Sequence, residues 1–252
     1  MKVKDKNILT IEDLNRSLFG AKEAYEFYCD KNGILPLVNP NLSDYYQKEA
    51  RYDNLHLLKG LRFSEDNELP IINPYTGPIC DQIECFDKIT RNTSRDVFIH
   101  FFQKDFKWAT RLWNNLEKTA YRLKDFKGLF ATDFSLFADM PKSYNMQQLF
   151  KARVSTAFLQ AIGFNVIPVF SYWDAYSLDI CLEGLPHNSV IGICGTGLNS
   201  HSNLQLWEYA IRTMEEFLNP FLIIVYGPER NIIGLQTPIK FIEDQLTKFH
   251  KK

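Results

Sequence analysis

The chain has 252 residues, 45% of them hydrophobic and 23% charged, with a formal net charge of −1. That length suits one large α/β domain, or a small domain beside a medium one. The near-neutral balance excludes a whole-protein field that attracts nucleic acid or an anionic membrane, so a polyanion would need a local patch.

The polar N-terminal segment, residues 1–7, lacks a signal-type apolar core. No apolar run approaches the about 18 residues of a membrane helix, so a soluble, cytoplasmic protein without membrane contact is expected. Residues 1–65 read as a mostly helical region. Thr10 and Asp13 have capping-box spacing and open a segment to about Cys29, which Gly33 terminates. The near-copies Leu35–Pro40 and Leu69–Pro74 are extended pieces stopped by proline, and the second is a candidate first strand. Pro74, Gly77, Pro78 and the polar run 90–94 make residues 74–95 loop-like. The five cysteines are too scattered for a disulfide framework, and Cys80 with Cys85 lacks the second half of a zinc site. No metal is expected, and no cofactor is indicated.

Residues 66–252 read as an α/β domain that packs with the N-terminal region as one unit. Five apolar runs, 97–102, 128–132, 165–170, 189–194 and 221–226, each end in a polar or glycine cluster. Between them lie three helical stripes. The first contains Trp108, Leu112, Leu116, Thr119, Ala120 and Leu123. The second contains Phe150, Val154, Ala157, Phe158, Ala161 and Ile162, and the third Trp207, Ala210, Ile211, Met214, Phe217 and Leu218. Gly163 and Asn219 stop the last two, and the stretch 174–187 is too short for a full helix. This alternation predicts a mainly parallel sheet with right-handed crossovers. Leu69–Asn73 and Asn231–Leu235 would bring the count to six or seven strands. The expected architecture is a (β/α) barrel-like arrangement that need not close, and His100 in mid-strand suits its interior. An open doubly wound sheet is the alternative.

In such proteins chemistry sits at the strand C-termini. Asp105 falls on the apolar stripe of the first helix, as an N-cap or as an acid turned inward over the strand ends. Asp133 leaves a strand directly, as a general base or as the start of an Asx-turn, with Ser135 beside it. Asp105 and Asp133 together are the candidate catalytic pair. Gly195, Gly197 and Ser200 lie between a strand and a helix, where backbone N–H groups can hold an anion or simply form a capped turn. They fail the dinucleotide and P-loop patterns. Trp173 can stack on a planar ligand or fill the core, and Asp174, Tyr226 and Arg153 complete the ligand candidates. Lys107, Arg111, Lys118 and Arg122 share a 60° sector if residues 104–123 form one helix, as a phosphate-tracking stripe or as a solvated face.

Several of these residues form an ordered series. It runs through His100, Phe102, Asp105, Trp113–Asn115, Asp133–Ser135, Met140–Pro141, Arg153, Ile167–Pro168, Trp173, Gly184–Pro186 and Tyr226–Gly227. Over about residues 69–230 the series resembles a family of bacterial and phage proteins known as domain of unknown function 4417. The family often carries two acids where this chain has Lys104 and Asp105. The resemblance implies an occurrence in phages and mobile elements and a role in replication, defence or counter-defence, and it implies no established reaction. Two functions are expected. The first is a pocket at the strand C-termini that binds a nucleotide-like or phosphorylated ligand, or acts on a nucleic-acid-linked one by hydrolysis or group transfer. The second is a non-catalytic accessory that binds nucleic acid or protein.

Overall fold

A computed structural model describes residues 53–58, 60–79, 81–198 and 200–243. The chain divides into two units, Met1–Arg62 and Phe63–Lys252. In the first, the described residues form a 3-10 turn, Leu55–Leu58, that buries Leu57 and Leu58. The helix expected from Thr10 to Cys29 and the segment Leu35–Pro40 lie outside the described residues, as does Cys80.

The second unit is α/β. Its strands are β1 (Ile83–Cys85), β2 (Phe98–His100), β3 (Gly128–Phe130), β4 (Val166–Ile167), β5 (Val169–Phe170), β6 (Val190–Cys194), β7 (Leu222–Tyr226) and β8 (Ile239–Ile242). They form two four-stranded sheets, ordered β1-β2-β3-β4 and β5-β6-β7-β8. Every pairing is parallel. Only Pro168 separates β4 from β5, and the backbone there serves both sheets. The carbonyls of Asn165 and Ile167 accept from Leu129 and Ala131, each at 2.8 Å, while the Pro168 carbonyl accepts from Gly192 at 2.7 Å. Proline has no N–H to continue the ladder, and this splits one extended run into two strands.

The strands follow one another in chain order within each sheet, as in an open α/β fold, and a sheet face is left to be filled by side chains. Aromatic rings fill it. The His100 ring of β2 lies 4.4 Å from Tyr226 of β7, and Phe102 stacks on the same Tyr226 at 5.2 Å. These contacts bring the inner faces of the two sheets together. Among the described strands β1 and β8 do not pair, so the ladder is open and no barrel closes. Large rings need small neighbours. A Cβ on Gly128 would stand 2.2 Å from the Phe98 ring, and one on Gly192 would stand 3.0 Å from Phe130.

Among the described residues the α-helices are α1 (Ala109–Trp113), α2 (Leu116–Leu123), α3 (Lys142–Ala161), α4 (Leu178–Leu182) and α5 (His201–Leu218). The single helix expected over 108–123 is two. Asn115, at φ −145° and ψ 44°, leaves helical space, and its side chain makes no capping hydrogen bond there. α3 begins well before its apolar stripe because its buried face includes Asn145, Gln148, Arg153, Ser155 and Thr156, which hide the periodicity. α5 ends where its Trp207, Ala210, Ile211, Met214 and Leu218 face stops, at Asn219 in the left-handed region with φ 47°.

Two expected strands are absent. Leu69–Asn73 is extended, but the Gln160 side chain, not a strand, bonds Asn73 N at 2.8 Å and its carbonyl at 2.9 Å. Asn231–Leu235 instead turns at Gly234, with φ +87°. The true edge strands, β1 and β8, are short and only half-buried. An edge strand lacks the continuous apolar run that marks a buried parallel strand.

Candidate functional site

The two candidate acids meet at the strand C-termini, each held by a serine. Asp133 follows β3, and its Oδ1 accepts from the Ser171 hydroxyl at 2.5 Å. Ser171 is the first residue beyond β5, next but one along the sheet order. Asp105 opens a 3-10 turn, Asp105–Lys107, and its side chain does not cap that turn. Instead Oδ2 accepts the Ser135 backbone N–H at 3.0 Å and Oδ1 accepts the Ser135 hydroxyl at 2.8 Å. The inward orientation prevails. Asp105 thereby ties the loop after β2 to the loop after β3.

The electrostatics separate the two roles. Burial pushes the Asp133 carboxyl up to about 6; the Ser171 hydrogen bond opposes the rise and the negative charge of Asp105 adds to it. A carboxyl poised near neutrality exchanges a proton readily at physiological pH. Both Asp105 oxygens are occupied. Among the described residues Asp133 is held only through Oδ1, and Oδ2 is its open oxygen. Nearby on the inner face, burial holds His100 down to about 3, with Asp87 partly countering, so the imidazole is neutral.

The other candidates are dispersed. Arg153 is buried in α3 and donates to the Cys181 carbonyl at 2.6 Å, and burial lowers its guanidinium to about 10. Trp173 is 8% exposed and belongs to the core, which leaves little ring surface for stacking. Asp174 and Ser177 form a capping box on the 3-10 turn Ala175–Ser177. Tyr226 is buried against His100 and Phe102.

The glycine loop has its own structural duties. The Gly195 N–H is taken by the Tyr226 carbonyl at 2.8 Å, and a Cβ there would meet Val225 at 2.8 Å. Gly197 sits at φ +76°. Ser200 caps α5 by accepting from Asn203 N at 3.1 Å. Ser200→Ala should lower unfolding stability in denaturant by about 1 kcal/mol through loss of this cap.

The basic stripe is broken with its helix. Lys107 lies on the 3-10 turn, Arg111 on α1, and Lys118 and Arg122 on α2. Lys107 reaches Asp87 at 3.7 Å, and Arg111 donates to the Lys107 carbonyl and covers the Phe86 ring. Sequence reasoning missed Ser171 as a partner of Asp133. Its one signal was position, as the first polar residue after a strand. Among the described residues no group of three or more His, Cys, Asp or Glu side chains is placed to hold a metal. None of the described helices is long and apolar enough to cross a membrane.

Fold and site together define a parallel α/β protein with two serine-held carboxylates at the strand C-termini. The chain belongs to the family described as a domain of unknown function, DUF4417, whose model matches residues 64–243. It is similar to the "Gene 1 protein" of Mycobacterium phage L5, 28% identical over 141 residues, covering 56% of this chain and 61% of the relative. The "Gene 1 protein" of Mycobacterium phage D29 is 26% identical over 141 residues, 56% of this chain and 52% of that relative. The match thus spans between half and two thirds of the length of these phage proteins. No solved structure matches the chain.

Proposed function

We propose that the loops after β2, β3 and β5 form a site that acts on a nucleotide-like or nucleic-acid-linked substrate by hydrolysis or group transfer. Asp133 is the proton-transfer group in this reading. Its Oδ2 takes a proton from the attacking hydroxyl or water and returns it to the leaving group. Asp105 does not touch the substrate: it fixes Ser135 and keeps a negative charge near Asp133. The observation that carries the proposal is the Asp133 carboxyl, held by Ser171 and raised to about 6 beside a second acid. A carboxyl whose environment moves it toward neutrality, set at strand C-termini beside polar partners, is a candidate acid–base group.

Mass spectrometry of small molecules co-purified with the full chain tests the substrate class. A nucleotide or nucleoside retained by the native protein and lost from a folded Asp133→Asn variant is the expected result. Equal retention by the variant, or a ligand of unrelated chemistry, overturns the reading.

A further inference from the structure

Beside Ser171 lies a small internal cavity, lined among others by Ala131, Thr132, Phe134, Arg153 and Ser171, where the centre of a water molecule has about 10 Å³ to occupy. That is the scale of a single water site. One wall carries a buried group with an unmet need. Arg153 is 4% exposed and donates through Nη2 to the Cys181 carbonyl, yet its buried Nε–H has no partner. A buried donor left unpaired is costly and rare.

The same cavity is lined by two hydroxyls that can supply the complement. The Thr132 hydroxyl donates to the Ala152 carbonyl at 3.2 Å, and the Ser171 hydroxyl donates to Asp133 at 2.5 Å. Each hydroxyl has therefore used its one hydrogen and retains lone pairs that can accept. A water here accepts from Arg153 Nε–H and donates its two hydrogens to Thr132 Oγ1 and Ser171 Oγ. Three hydrogen bonds is the usual number for an internal water.

We propose that a water molecule is bound in this cavity and links Arg153 through Ser171 to Asp133, which makes Arg153 a positioning residue for that carboxyl. The link holds whether or not Asp133 performs chemistry. It aligns the guanidinium, the water and the serine dipole so that each favours negative charge at the carboxylate. Asp105, from the 3-10 turn, disfavours the ionised form of Asp133; in the proposal Arg153, from α3, opposes this effect through the water and the Ser171 hydroxyl. Glu183, just beyond α4, acts in turn on Arg153.

A high-resolution crystal structure of the full chain tests the site. The expected result is one water within hydrogen-bond distance of Arg153 Nε, Thr132 Oγ1 and Ser171 Oγ. An empty cavity, or Nε bonded to a protein group, overturns the proposal. Carbon-13 NMR titration of the Asp133 carboxyl tests the coupling. Arg153→Met should move its midpoint upward by ~0.5 pH unit or more. Because that variant removes a buried staple and can fail to fold, Thr132→Val is the second arm; it deletes one acceptor of the water and keeps the side-chain volume. An upward shift in Thr132→Val supports the link. An unchanged midpoint there overturns it.

Discussion

Asp133→Asn is expected to stabilise the protein at pH 8 and to leave it unchanged at about pH 3 and below. The sign follows from the direction of the shift. Burial raises the folded-state Asp133 carboxyl from 3.8 to about 6, so the folded protein holds this proton more tightly than the unfolded chain. Below the unfolded value both states are protonated and the group is neutral in its effect. As pH rises through the folded value, the native state must carry a buried charge, and stability falls. The full penalty above pH 6 is at most about 3 kcal/mol. Asparagine keeps an oxygen for the Ser171 hydroxyl and carries no charge. For a domain of this size the melting temperature at pH 8 should rise by roughly 5 °C or more, converging with the native protein at about pH 3. A variant that gains stability while losing its ligand shows the trade expected of a functional group. A variant less stable than the native protein at pH 8 contradicts the account of the site.

The second large effect concerns the aromatic interior. Gly128→Val should cost about 1–3 kcal/mol or more, because even a Cβ at that position would lie 2.2 Å from the Phe98 ring. Phe98 is 1% exposed and held edge-on between Tyr75, at 6.1 Å, and Phe130, at 6.4 Å, so it cannot swing aside. Phe98→Leu alone should also destabilise, by removing ring contacts. The double variant Gly128→Val, Phe98→Leu should recover part of the loss, since the new side chain enters the space the ring vacates. Additive losses in thermal or denaturant unfolding would show that the two positions do not share that space.

The course of the sheet was legible in the sequence, and its edges were not. Buried parallel strands such as Val190–Cys194 and Leu222–Tyr226 must be apolar on both faces, and they appear as unbroken runs. Ile83–Cys85 and Ile239–Ile242 have one flank unpaired within their sheets, and no such run marks them. The break at Asn115 is one residue's departure from helical dihedrals, which a hydrophobic stripe does not register. The site shows the same division. Asp105 and Asp133 were visible because an acid on an apolar stripe and an acid at a strand end are out of place. Ser171 and the cavity beside Arg153 were not. Their significance rests on the hydrogen left free or used at each hydroxyl, which only three-dimensional contacts decide.

The central claim is that Asp133 is a half-buried carboxyl raised toward neutrality under the influence of Asp105. NMR titration of the Asp133 side-chain carboxyl, in the native protein and in Asp105→Asn, tests it most directly. The expected midpoint is about 6 in the native protein and lower in the variant, where the neighbouring charge is gone. A native midpoint near the ordinary aspartate value of about 3.9, or one that Asp105→Asn leaves in place, would contradict the account.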